Sequence, residues 1–129
     1  DRLPRRYAVE AGKTLSDTWN ALQDNLGMYD LWVLGPNGYH RHFKGDTNRI
    51  ADSGALPEIR VCYDIANGEV YAELLNTGAK ACTFTVAPQA YRQDAAVTLD
   101  VAGGGKATRN WGLAASGQWY DFAVTCSSD

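Results

Sequence analysis

Cysteine, proline, histidine and methionine are all scarce in this chain of 129 residues, which holds three Cys, four Pro, two His and one Met. A domain of this size buries enough surface to hold a core without disulfides or metal, so the cysteines are optional staples and not a framework. Cys62, Cys82 and Cys126 are odd in number. In an exported protein one pair could bridge and leave a thiol over, or all three could be small buried hydrophobes. With His40 and His42 the only imidazoles, a Ser/His/Asp or Cys/His engine would have to use one of them, and no serine stands out as its partner. Cys-X-X-Cys, Gly-X-Ser-X-Gly and a phosphate-cradling glycine loop are missing too. Positive charge is not in excess, with 12 Lys+Arg against 15 Asp+Glu and a formal charge of -3, and no basic run marks a nucleic-acid footprint. No apolar stretch approaches the ~18 residues of a membrane span. The opening Asp1-Arg2-Leu3-Pro4-Arg5-Arg6 is not followed by the apolar region of an export signal, and a start at Asp suggests a piece of a longer protein.

What the sequence does have is a period of two. Tyr29, Leu31, Val33 and Ile59, Val61, Tyr63, Ile65 alternate with more polar neighbours, as in strands that bury one face. Val70, Ala72, Leu74 follow the hairpin dipeptide Asn67-Gly68, and Cys82, Phe84, Val86 follow Asn76-Thr77-Gly78. The pattern predicts strands over Tyr7–Glu10, Tyr29–Leu34, Tyr39–Phe43, Ile59–Ala66, Glu69–Leu75, Cys82–Ala87, Ala96–Val101, Ala107–Trp111 and Trp119–Thr125. Only Leu15–Leu26 could host a short helix. Short strands with frequent turn signals point to an all-β fold, an antiparallel immunoglobulin-like β-sandwich, with a closed barrel as the other candidate.

An internal repeat is visible as well. Gly12-Lys13, Trp19 and Tyr29-Asp30-Leu31-Trp32-Val33 match Gly105-Lys106, Trp111 and Tyr120-Asp121-Phe122-Ala123-Val124; Trp111 follows Trp19 by 92 residues, and Tyr120 follows Tyr29 by 91. A repeat of about 90 residues is one sandwich long. Residues 1–46 then form the end of a first unit, 47–56 a polar linker and 57–129 most of a second unit, the two packed as one sandwich. Trp19 and Trp111, matched in the repeat, are expected in the core. Asp30 and Asp121, also matched, are expected to cap turns or hold backbone N–H groups.

Two groups of residues could carry chemistry or binding. His40 and His42 share one face of a strand and could both reach a metal, although no third ligand lies nearby in the sequence. Trp32 falls on the face opposite Tyr29, Leu31 and Val33, so it should be exposed. Together with Tyr39 and Phe43 it offers an aromatic surface for lipid, sugar or choline.

The run Tyr29-Asp30-Leu31-Trp32-Val33-Leu34-Gly35-Pro36-Asn37-Gly38-Tyr39-His40-Arg41-His42-Phe43-Lys44-Gly45 resembles the C-terminal repeats of bacterial secreted phospholipases C of the phosphocholine-preferring type. The resemblance continues through Arg5–Trp19, Val61-Cys62-Tyr63-Asp64, Leu75-Asn76-Thr77-Gly78 and Trp119-Tyr120-Asp121-Phe122. Tyr39 departs from the Phe commoner there. An Arg-X-Phe-X-Gly strand is not met after Trp119-Tyr120-Asp121-Phe122, and Tyr39–Gly45 is a candidate to fill that edge. The resemblance implies a secreted bacterial parent that cleaves phosphodiester bonds of phosphatidylcholine or sphingomyelin with a separate phosphoesterase domain. It therefore carries no catalytic residue and no cofactor onto this chain. The expected role is a non-catalytic accessory domain that packs on that catalytic domain and helps present it to a phospholipid surface. At a charge of -3 such contact would rest on Trp32, Tyr39 and Phe43 and not on bulk attraction to anionic lipid. The other readings are a free-standing carbohydrate- or choline-binding module, and a metal-dependent hydrolase built on His40 and His42.

Overall fold

The computed structural model describes residues 3–129. It divides into two compact units, Asp1–Thr47 and Asn48–Asp129.

The second unit is an antiparallel β-sandwich. β3 (Pro57–Asp64), β4 (Glu69–Asn76) and β7 (Lys106–Gly112) form one sheet in the order β3-β4-β7, and β6 (Val97–Val101), β5 (Cys82–Ala90) and β8 (Asp121–Cys126) form the other in the order β6-β5-β8. The sheets are separate, so the closed barrel is set aside. The central strands follow the period-two pattern strictly: every second residue of β4, from Val70 to Asn76, is buried, as are Cys82, Phe84 and Val86 of β5. Their inner faces meet Val101, Trp111 and Leu113, with Val61, Leu99, Phe122 and Val124 packed around them. The Trp111 ring stacks on Phe122 with centroids 5.0 Å apart. Pro88 lies opposite Phe122, where the ladder shifts register between Pro88 and Ala90.

Edge position changes the fate of β3. Ile59, Val61 and Tyr63 lie opposite the buried Leu74, Ala72 and Val70, yet Ile59 and Tyr63 stay exposed because no strand covers the outer side of β3 among the described residues. Ile65, expected to alternate with them, lies in the β3–β4 turn and is exposed. That turn is held by Asp64, whose Oδ1 accepts from the Asn67 N–H at 3.2 Å, and by Gly68 at φ +64°.

One polar side chain is sealed in this core. Asn76 ends β4 fully buried; its Oδ1 accepts from the N–H groups of Leu56 and Gly78, both at 3.1 Å, and its Nδ2 donates to the carbonyl of Lys80 at 2.7 Å. With a longer bond from Nδ2 to the Val101 carbonyl at 3.3 Å, three chain segments are tied at one end of the sandwich. The backbone closes around the same point: a Cβ on Gly78 would come within 2.5 Å of the Leu56 nitrogen, and one on Gly103 within 2.3 Å of the Ala79 oxygen.

The first unit is smaller. It holds a short helix α1 (Ala21–Asn25), capped by Asn20, and a hairpin of β1 (Met28–Leu34) and β2 (His40–Asp46). Tyr7–Glu10, expected as a strand, has no regular structure, because no strand pairs with it among the described residues. Residues 47–56, expected as a plain linker, contain the helix α2 (Thr47–Ser53), which Gly54 at φ +72° terminates. Trp19 is not a core residue: it remains partly exposed, with the Arg5 guanidinium 4.7 Å from its ring centroid. Its counterpart Trp111 differs because a second sheet covers it.

Candidate functional site: the two faces of the β1–β2 hairpin

The turn fixes everything on this hairpin. Pro36 opens a single 3-10 turn over Pro36–Gly38, Asn37 and Gly38 take φ of +56° and +76°, and the Gly35 N–H donates to the Tyr39 carbonyl at 2.9 Å. Gly-Pro-Asn-Gly is thus turn chemistry: proline presets the first φ, and asparagine and glycine tolerate the left-handed region. The resulting register places Leu31 opposite Phe43, Trp32 opposite His42 and Val33 opposite Arg41. Directly opposed residues share a face, so the hairpin sorts the sequence candidates into two sets.

One face carries Asp30, Trp32, Leu34, His40, His42 and Lys44. The His42 ring lies on the Trp32 indole at 4.1 Å between centroids and 12° between planes, and the His40 ring is 6.1 Å from the same indole. His42 Nε2 is 2.7 Å from Asp30 Oδ1, and Lys44 Nζ is 3.9 Å from Asp30 Oδ2. The two histidines therefore flank an indole, and one of them is hydrogen-bonded to a carboxylate. Among the described residues no three His, Cys, Asp or Glu side chains gather as a metal site. Asp30, expected to cap a turn or hold a backbone N–H, pairs with His42, a contact that depends on the cross-strand register. Trp32 is 60% exposed, as its position in the alternation predicts.

The opposite face carries Tyr29, Leu31, Val33, Arg41 and Phe43, and the Arg41 guanidinium sits 5.0 Å from the centroid of the Tyr39 ring. Trp32 and Phe43 thus do not form one aromatic surface. They point to opposite sides of the same ribbon.

A second polar cluster had no signal in the sequence. Asp17 accepts from Arg5 Nη1 at 2.9 Å and from the Tyr7 hydroxyl, and its own Oδ1 accepts from the Thr18 N–H at 2.7 Å. Hydrogen bonds from Tyr7 and then Arg5 hold its carboxyl down at about 2. The cluster crosses two stretches without regular structure, so no periodicity could have announced it. In the second unit, Tyr63 and Tyr120 bring their hydroxyls to 2.5 Å.

The three thiols are free. Cys82 is buried, and burial followed by a contact with Cys126 pushes its thiol up to about 11. That is the opposite of an activated nucleophile.

Comparison with known proteins decides what kind of chain this is. The profile of one family, described as "Bacterial phospholipase C, C-terminal domain", matches residues 1–46 and again 57–129. The chain belongs to this family. A non-hemolytic phospholipase C of Pseudomonas aeruginosa is 39% identical over 124 residues, covering 95% of this chain and 18% of the relative. A non-hemolytic phospholipase C of Burkholderia pseudomallei is 38% identical over 122 residues, covering 95% of this chain and 17% of the relative. A hemolytic phospholipase C of Pseudomonas aeruginosa is 35% identical over 120 residues, covering 92% of this chain and 16% of the relative. The chain thus spans about a sixth of the length of these curated relatives. In this chain Gly35–Gly38 serves as a turn and Asn76–Gly78 as a corner.

Proposed function

We propose that this chain is a non-catalytic accessory module of a secreted bacterial phospholipase C, a phosphoric diester hydrolase whose phosphoesterase domain lies elsewhere in the same polypeptide. The observation that carries the proposal is the double match to the C-terminal domain family together with the coverage of only 16–18% of each relative. Residue chemistry agrees with it in one respect: the buried Cys82 thiol is held protonated and is no nucleophile. The parent acts on phosphatidylcholine or sphingomyelin, and the module packs on its catalytic domain and helps it meet a phospholipid surface. Adjacency of β4 with β7 and of β5 with β8 in facing sheets supports an immunoglobulin-like topology for the second unit.

Lipid contact falls to the Trp32 face. An exposed indole with a polar N–H suits the boundary between water and acyl chains. Phe43 lies on the opposite face with Tyr29, Leu31 and Val33, itself exposed, so it takes no part in the Trp32 face. Co-sedimentation with phosphatidylcholine vesicles tests this: the chain pellets with the vesicles and a Trp32→Ala variant stays several-fold more in the supernatant. Equal pelleting of the two, or none by a folded chain, removes the lipid role and leaves the scaffold role alone.

A further inference from the structure

The repeat and the ladders together specify an interaction surface on β8. In an antiparallel pair, residues alternate between those whose N–H and C=O groups bond the neighbour and those whose groups point away. In the β5–β8 pair the phase is set by the Ser127 N–H, which donates to the Thr83 carbonyl at 2.9 Å. Stepping by two, Thr125 opposite Thr85 and Ala123 opposite Ala87 bond β5, and the backbone groups of Phe122 and Val124 point to the outer edge. Among the described residues no strand pairs with that edge.

The β1–β2 pair supplies the comparison. Its phase is set at both ends: the Gly35 N–H donates to the Tyr39 carbonyl and the Thr47 N–H to the Gly27 carbonyl, each at 2.9 Å. The positions of β1 bonded to β2 are therefore Leu31, opposite Phe43, and Val33, opposite Arg41. In the repeat, Leu31 corresponds to Phe122 and Val33 to Val124, both 91 residues on. The edge on which β1 holds β2 is hence the same edge that β8 leaves unpaired. On β2 the edge that presents the backbone groups of Arg41 and Phe43 is already taken by β1.

From this we infer that the outer edge of β8 is a strand-acceptor site for a segment of the β2 pattern, aromatic-X-Arg-X-Phe-X-Gly, supplied in antiparallel orientation by its own polypeptide. Strand addition satisfies the outward N–H and C=O groups of Phe122 and Val124 through main-chain bonds, and the alternate side chains of the added strand cover the rim of the core beside Phe122. The occupant is named by β2 itself: the copy of Phe43 lies opposite Phe122 and the copy of Arg41 opposite Val124. The inference stands on the ladders and the repeat alone, independently of any phospholipase role.

The test appends a copy of Tyr39–Asp46 after Asp129, where the repeat offset places it. A control carries the same addition with proline at the positions copied from Arg41 and Phe43, which removes the donors facing β8. Residue-resolved amide exchange is read in both, with Thr125 as the marker that β8 remains on β5. The expected result is exchange at Phe122 and Val124 slowed at least about tenfold by the appended strand and not by the proline control. Equal exchange at both residues in the two extended chains, with Thr125 protected, overturns the inference. So does concentration-dependent protection of Phe122 and Val124 in the unextended chain, which would make the edge an interface between copies.

Discussion

Asn76 shows how much of the sandwich rests on single side chains. Its amide is fully buried and matched on both ends, so truncation leaves the Leu56 and Gly78 N–H groups and the Lys80 carbonyl without their partner. Asn76→Ala is expected to cost about 3 kcal/mol of stability, measured by urea unfolding. Gly78→Ala acts at the same corner by collision with the Leu56 backbone and should cost about 2 kcal/mol or more. The titrating residues give two pH windows of opposite sign. Cys82 has its thiol raised from 9.0 to about 11, so the neutral form is favoured in the fold. Its stabilising effect is complete below pH ~9 and declines as pH rises toward ~11, and its labelling by a thiol reagent at pH ~8 should lag far behind that of Cys62. Asp17 is depressed from 3.8 to about 2, so its contribution is present above pH ~4 and fades as pH falls through ~2. Arg5 bridges Asp17 and the Trp19 ring, so the Trp19 indole N–H resonance should shift over that acid range and lose its titration in Asp17→Asn.

At the scale of elements, the sequence was readable wherever a strand owns its pattern. β4 and β5 alternate because both lie at sheet centres, and the turns at Asn67-Gly68 and Gly-Pro-Asn-Gly declare themselves through residues that accept positive φ. Tyr7–Glu10 alternates no worse, yet forms no strand, because pairing is a property of two segments and not of one. Trp19 looked like core through its match to Trp111, but burial comes from the facing sheet and not from the residue. The pairing of His42 with Asp30 was half legible: the turn at Gly35–Tyr39 sets the register, and the register brings residues 12 apart onto one face. The same register separates Phe43 from Trp32, which sequence proximity had placed together. Replacing Phe84 at the centre of β5 gives the energetic counterpart: Phe84→Ala is expected to cost about 3–5 kcal/mol, seen as a lowered denaturant midpoint.

For the molecule as a whole, the family profile matches two stretches, and the fold explains why each is recognisable: the first contains the β1–β2 hairpin and the second the six-stranded sandwich. Within these stretches Gly35–Gly38 builds a turn, Asn76 a buried corner and Trp111 with Phe122 part of an aromatic core. No helix among the described residues is long and apolar enough to cross a membrane. The measurement that bears most directly on the accessory role is hydrolysis of a water-soluble phosphocholine ester by this chain alone, beside its parent protein with and without the module. The account predicts no turnover by the chain and retained turnover by the parent that lacks it. Turnover by the isolated chain that disappears in a His40→Ala, His42→Ala double variant would contradict it.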